Sequence, residues 1–179
     1  MFNDIFLGET VTLIDMLNAR DERYAKQNSL LSQYPGCSLL VVTMNIPGDI
    51  KNSQKISEVF KSAIEIIDQE LVGASLKHKS SLQQHTGNEA YYVLDIPAVD
   101  LKRLMIAIEE QHPQGRLFDL DVLFVDEDTG AVAKISRADY NLMPRQCFVC
   151  DKNAKECARS RAHSIQEMKV AVANLMAKQ

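Results

Sequence analysis

The chain contains no tryptophan, and aromatic residues make up only 6% of its 179 positions. A pocket built from stacked aromatic rings is therefore not expected. It has no excess of positive charge either: the formal net charge is −4, which argues against a non-specific nucleic-acid binder, since any basic patch must be local. No apolar run approaches the length of a membrane span. The opening MFNDIFLGET lacks the basic flank and long apolar stretch of a secretory signal. There is no Walker A spacing, no Gly-x-Ser-x-Gly, no sequence-local catalytic Cys/His pair, no internal repeat and no low-complexity segment. Cysteines number four, three of them close together. In a reducing, cytoplasmic setting such thiols point to metal binding or to free cysteines rather than to disulfides. What remains is 46% hydrophobic and 25% charged, the balance of an ordinary globular protein, with length for a single domain over 1–179 and a Cys-containing segment at 141–179.

Periodicity supplies the elements. Leu13, Leu17, Tyr24 and Leu31 recur at helical spacing and predict a helix over 10–33, with Thr10 as a cap. CSLLVVTMNI, 37–46, is a continuous apolar run that reads as a buried strand opened by Cys37, and PGDIKNS as a loop. Ile56, Val59, Phe60, Ala63, Ile67 and Leu71 predict a second helix with Ser53 near its start. The polar stretch 75–85, with His78 and His85 as surface residues, reads as an exposed strand, and YYVLDI, 91–96, as a clearer one after the turn-prone Gly87-Asn88. Leu101, Leu104, Met105 and Ile108 mark a third helix, ending near His112-Pro113. GRLFDLDVLF, 115–124, is the next strand, with AVAKIS as its hairpin partner across DEDTG. Residues 141–163 read as irregular and 164–177 as a last helix. From 37 to 125 this is an α+β order, the ferredoxin-like βαββαβ, with extra helices at both ends. Helices would cover one face of the sheet and leave the other for substrate or for the terminal helices.

The chemistry concentrates in GRLFDLDVLF. Residues two apart on a strand share a face, so Asp119 and Asp121 point together, while Phe118, Leu120, Val122 and Phe124 take the core side. Two carboxylates so placed can hold magnesium with substrate phosphates, and Arg116 just upstream offers a planar fork for phosphate. The same pattern also suits a solvated face whose acids keep the strand soluble. The loop 48–53, with Lys51, lies between a strand and a helix and can present N–H groups to phosphate, or be an ordinary turn. In ARDERYAKQ, 19–27, Arg20 falls on the apolar stripe and calls for an anionic partner, with Arg23 one turn on; ion pairs with Asp21 or Glu22 are the plainer reading. Cys147, Cys150 and Cys157 form C-x2-C-x6-C, with His163 following, a set able to complete a structural zinc tetrahedron or to remain free thiols in a packed loop.

ARDERYAKQ, HPQGRLFDLDVL and SRADYNLMPRQCFVCDKNAKECARSRAH together resemble the CitX family of apo-citrate lyase phosphoribosyl-dephospho-CoA transferases, over about residues 10–175. The resemblance implies a magnesium-dependent nucleotidyltransferase. Its donor would be 2′-(5″-triphosphoribosyl)-3′-dephospho-CoA, its acceptor a serine of the citrate lyase acyl-carrier (γ) subunit, and its by-product pyrophosphate. It implies Asp119 and Asp121 as magnesium ligands and Arg116 on the triphosphate. Arg20, Arg23 and Lys51 would neutralise donor phosphates. Asp139 would be a third acid if its strand pairs beside 118–125, and Arg145 would contact phosphate from the loop before the cysteines. No Gly-Ser occurs in the chain, although nucleotidyltransferases of the polymerase-β type place one before their D-x-D, so that fold stands as the alternative. G-R-x-x-D-x-D-V-L also resembles hydroxymethyl-dihydropterin pyrophosphokinases, whose fold is ferredoxin-like. A pyrophosphokinase of a small hydroxymethyl substrate and a zinc-stabilised module that only docks on a carrier are the competing functions. An acidic carrier would meet a basic patch, Lys77 with Lys79, or Lys155, Arg159 and Arg161.

Overall fold

The computed structural model describes residues 2–178. After a single-turn helix α1 (Phe2–Ile5) come helix α2 (Leu13–Gln33), strand β1 (Ser38–Met44), helix α3 (Gln54–Glu70), strands β2 (Leu76–Leu82) and β3 (Glu89–Leu94), helix α4 (Ala98–Gln111), strands β4 (Phe118–Val125) and β5 (Val132–Lys134), and helices α5 (Ala154–Ser160) and α6 (Ile165–Met176). The architecture is α+β. The five strands form one antiparallel sheet in the order β2-β3-β1-β4-β5. None of the described helices is long and apolar enough to cross a membrane.

Local chemistry explains the boundaries. Thr12 caps α2 through a reciprocal box with Asp15, two residues later than the expected cap at Thr10. Ser53 caps α3 by accepting from the Ile56 N–H at 3.2 Å. The i, i+3, i+4 set Ile56, Val59, Phe60, Ala63 and Ile67 is buried. β2 is an outer strand, largely exposed, and its Lys77 and Lys79 are paired with Asp95 and Asp68. Both lysines of that candidate carrier patch are thereby neutralised. At Gly115 an added Cβ would stand 2.5 Å from the Ile108 carbonyl oxygen, so only glycine lets the chain turn beneath the end of α4 and start β4.

The sheet is covered on both faces, which is why β1 reads as an unbroken apolar run. On one face Leu40, Val42, Tyr92, Leu94, Phe118, Leu120 and Val122 pack under α3 and α4, with Val172 and Leu175 of α6. On the other, Leu39, Val41, Tyr91, Val93 and Leu123 meet Leu30 and Leu31 of α2, with Cys37 at the margin, half-buried.

Three readings need correction. The stripe expected to seat α2 mostly faces outward: Leu13 is 76% and Tyr24 64% exposed, while Ala19, Leu30 and Leu31 are buried. The helix is held mainly through its C-terminal end, so its apolar periodicity does not trace its contact face. Arg20, on that stripe, is exposed. The segment 141–163 is not wholly irregular, because α5 forms within it behind an Asn153 cap. Asp139 lies on no strand; it sits in the 3-10 turn Arg137–Tyr140, and its carboxylate closes a capping box with Ser136.

Candidate active site

β4 carries the site because its two sides and its edge do different work. Phe118, Leu120 and Val122 are buried in the core, and the alternation turns Asp119 and Asp121 to the opposite face. Across the central strand, Thr43 stands opposite Asp119 and Val41 opposite Asp121. On this face the aspartates are half-buried rather than open to solvent. Burial pushes the Asp119 carboxyl above the usual carboxylate range. The Asp121 charge adds to this, and Arg145 and Lys134 offset only part of it. Lys134 of β5 pairs with Asp121 at 2.5 Å. Two close carboxylates, one already raised, make a site whose repulsion a bound cation would relieve; the donor set is hard oxygen, suited to magnesium.

The outer edge of β4 is paired with β5 only from Leu123 onward. Ahead of that, the Val122 carbonyl accepts from the Ile135 N–H at 3.2 Å, and side chains satisfy the backbone at Phe118 and Leu120. Arg145 donates to the Phe118 carbonyl at 2.9 Å, Lys102 to the Leu120 carbonyl at 2.6 Å, and the Leu120 N–H donates to Glu109 at 3.1 Å. Glu109, 5% exposed, also pairs with Arg145 and with Arg137, which reaches Glu110 as well. One Glu109 oxygen accepts no hydrogen bond. Burial lowers the Lys102 ammonium from its ordinary value, and the Glu109 and Asp121 charges offset part of this.

Beyond this edge lies a cleft of about 1190 Å³, walled by the segment 143–148, the end of α5 and the start of α6. Arg116, Arg137, Arg145 and Arg161 line it. Arg116 donates to the carbonyls of Gln146 and Cys147 at 2.8 and 2.5 Å and stacks over Phe148 at 5.6 Å, so it tethers the cysteine segment rather than reaching the aspartates. Next to the cleft, one ligand atom from each of Cys147, Cys150, Cys157 and His163 lies within 4.8 Å of the others. The Cys150 and Cys157 sulfurs are 3.6 Å apart, and His163 Nε2 is 3.2 Å from Cys150 Sγ. Zn–S bonds of 2.3 Å in a tetrahedron put sulfurs about 3.8 Å apart, so the set fits zinc. Burial pushes the Cys147 thiol up, but the backbone N–H groups of Val149 and Cys150 and the neighbouring thiols outweigh it, and the thiol lies below its ordinary value.

The other candidates lie apart. Arg23 is held not by Asp21 or Glu22 but by Glu89, 3% exposed, which also accepts from the Tyr91 hydroxyl. Lys51 donates to the Ile46 carbonyl at 2.7 Å within its own loop, and burial lowers its ammonium. Among the described residues no hydrogen bond or ion pair joins Arg20, Arg23 or Lys51 to the aspartates. Glu109, Arg137 and Lys134 escaped the sequence reading. Lys102 and Glu109 left a signal, being charges at the spacing of the buried Leu101, Met105 and Ile108; Arg137 and Lys134 left none. Arg161, expected on a docking patch, lines the cleft instead.

The sequence profile of the CitX family, described as apo-citrate lyase phosphoribosyl-dephospho-CoA transferase, matches residues 11–179. A Streptococcus pyogenes protein named probable apo-citrate lyase phosphoribosyl-dephospho-CoA transferase is 46% identical over 96% of this chain and 88% of its own. A Citrobacter koseri protein of that name, without the qualifier, is 32% identical over 93% of this chain and 88% of its own. A Haemophilus influenzae protein named CitXG is 39% identical over 90% of this chain but only 34% of its own length. With near-complete coverage in both profile and relatives, the chain belongs to the CitX family.

Proposed function

We propose that the chain is the magnesium-dependent transferase that loads the prosthetic group of citrate lyase. It moves the phosphoribosyl-dephospho-CoA moiety from its triphosphate precursor to a serine of the acyl-carrier γ subunit. The bond from the serine oxygen to the α-phosphorus forms, the bond to pyrophosphate breaks, and the serine proton is released. The observation that carries this reading is the half-buried Asp119–Asp121 pair on one face of β4 in a chain of this family. Asp119 and Asp121 hold the magnesium. The ion, when bound, supplies charge neutralisation at the phosphates and orients the attacked group. Lys134 keeps Asp121 in place, and Arg145 spans from the β4 edge to the field of Asp119. Arg20 is exposed on α2 with its guanidinium available to an incoming phosphate. Arg23 and Lys51 meet phosphate only by exchanging their present partners. Asp139 belongs to its own turn and is left out of the metal set.

Cys147, Cys150, Cys157 and His163 hold a structural zinc that pins the segment carrying Arg145 and Arg161. The sheet order, with β1 between β3 and β4 and β2 outermost, supports the ferredoxin-like βαββαβ reading over the polymerase-β alternative, with β5 as an added strand. The chain acts as one domain in the cytoplasm, where its thiols stay reduced.

The test is mass spectrometry of the γ subunit after incubation with this protein, magnesium and the triphosphoribosyl donor. The serine gains the prosthetic-group mass if the reading is right. An unchanged carrier refutes it.

A further inference from the structure

We infer that the arginine-lined cleft beside β4 seats the dephospho-CoA body of the donor, with Arg161 as its principal free cation. The inference rests on the transferase reading for the identity of the ligand. The protein is acidic overall, with net charge −4, yet four guanidiniums face this cleft against two carboxylates, Glu109 and Glu110. Concentrating positive charge there in an otherwise anionic molecule draws an anion to that place and not elsewhere.

The four arginines are not equivalent. Arg137 and Arg145 are committed to Glu109, Glu110 and backbone carbonyls. Arg116 spends one terminal nitrogen, Nη2, on two carbonyls, which leaves Nε and Nη1 for a ligand. The Arg161 side chain makes no hydrogen bond or ion pair among the described residues. It is presented by a residue in the left-handed region, φ 48°, that terminates α5. A planar fork with free donors suits a diphosphate bridge.

The rest of the lining is apolar. Met143, Phe148, Ile165 and Met168 offer a wall for an adenine ring or a pantetheine arm. Such a wall is unsuited to a bare triphosphate, which belongs with the aspartates and their metal. The volume, about 1190 Å³, accommodates a ligand at or above the upper end of the usual small-molecule range of roughly 300–1,000 Å³. Arg145 ties the two places together, since it lines the cleft and is also a cation acting on Asp119. A donor whose body lies in the cleft can carry its triphosphate past the β4 edge to the aspartate face.

Calorimetric titration of the full chain with dephospho-CoA, and separately with inorganic tripolyphosphate, tests this. Arg161→Gly removes the guanidinium while relaxing the left-handed position; Arg161→Glu reverses the charge with a side chain retained. Both should weaken dephospho-CoA binding by about ten-fold or more, with tripolyphosphate binding changed less than about two-fold. Asp119→Asn should leave dephospho-CoA affinity within about two-fold while transfer is lost. Unchanged dephospho-CoA affinity in both Arg161 variants overturns the assignment. So does a loss of tripolyphosphate binding alone, which would make the cleft the triphosphate site. Arg161-dependent binding without any mass gain on the carrier leaves the cleft standing and sinks the transferase reading instead.

Discussion

Asp119 shows how a single residue can weaken the free protein and serve the loaded one. Its folded pKa lies above the unfolded value because of burial and Asp121. Between those two values the native state binds more protons than the unfolded chain, so stability falls as pH rises through that window. Above that window the charged carboxylate is a liability. Asp119→Asn should therefore raise the melting temperature of the metal-free protein at pH 7, with the gain shrinking as pH drops below the ordinary carboxylate range; a thermal melt across pH 4–8 reads this. Transfer should fall in the same variant by about 10²–10³-fold or more, as when a main electrostatic stabiliser of a transition state is removed. An Asp119→Asn protein no more stable than wild type at pH 7 would contradict the strain argument, and one that kept near-wild-type transfer with magnesium present would contradict the metal assignment. The D-x-D alternation was legible from sequence because strand periodicity is local. The half-burial was not, because it depends on groups brought in from elsewhere in the chain, among them Lys134 and Arg145.

At the scale of elements, β4 is a strand whose outer edge is finished by charges instead of by a full partner strand. Glu109 is the hub, bonded to the Leu120 N–H and paired with Arg145 and Arg137. Glu109→Ala leaves two guanidiniums and a backbone donor without their carboxylate and should destabilise the fold by about 3–5 kcal/mol in urea unfolding. A loss below about 1 kcal/mol would mean that solvent already screens the network. The cysteine segment is the second such element. Cys150→Ser should take zinc from about one equivalent per chain to near none by elemental analysis and should expose 141–163 to proteolysis, since a segment with little regular structure depends on the metal for its order. Full protease resistance in the zinc-free variant would count against a structural role. The C-x2-C spacing and His163 were readable in the sequence. That the same segment walls a cleft with Arg116 was not, because the contact joins residues about thirty positions apart through backbone carbonyls.

For the whole molecule, donor and magnesium together should stabilise the fold by mass action. At a donor concentration about a hundred times Kd the gain is about 2.7 kcal/mol, or a melting shift of roughly 5–10 °C for a chain of this size. No shift with either ligand would favour a module that docks without binding nucleotide. Composition, alternation and turn chemistry sufficed for the α+β class, for the succession of elements from 38 to 125, and for the aspartates that share a face. These depend on neighbours a few residues away, and side-chain period and capping report them directly. Tertiary structure alone decided which face of α2 is buried, that Arg23 answers Glu89, and that Glu109 holds an open strand edge. Each of these turns on a charge or an apolar surface meeting a partner far along the chain. Local sequence carries a residue's need for a partner; only the packed sheet and its helices determine which partner meets it.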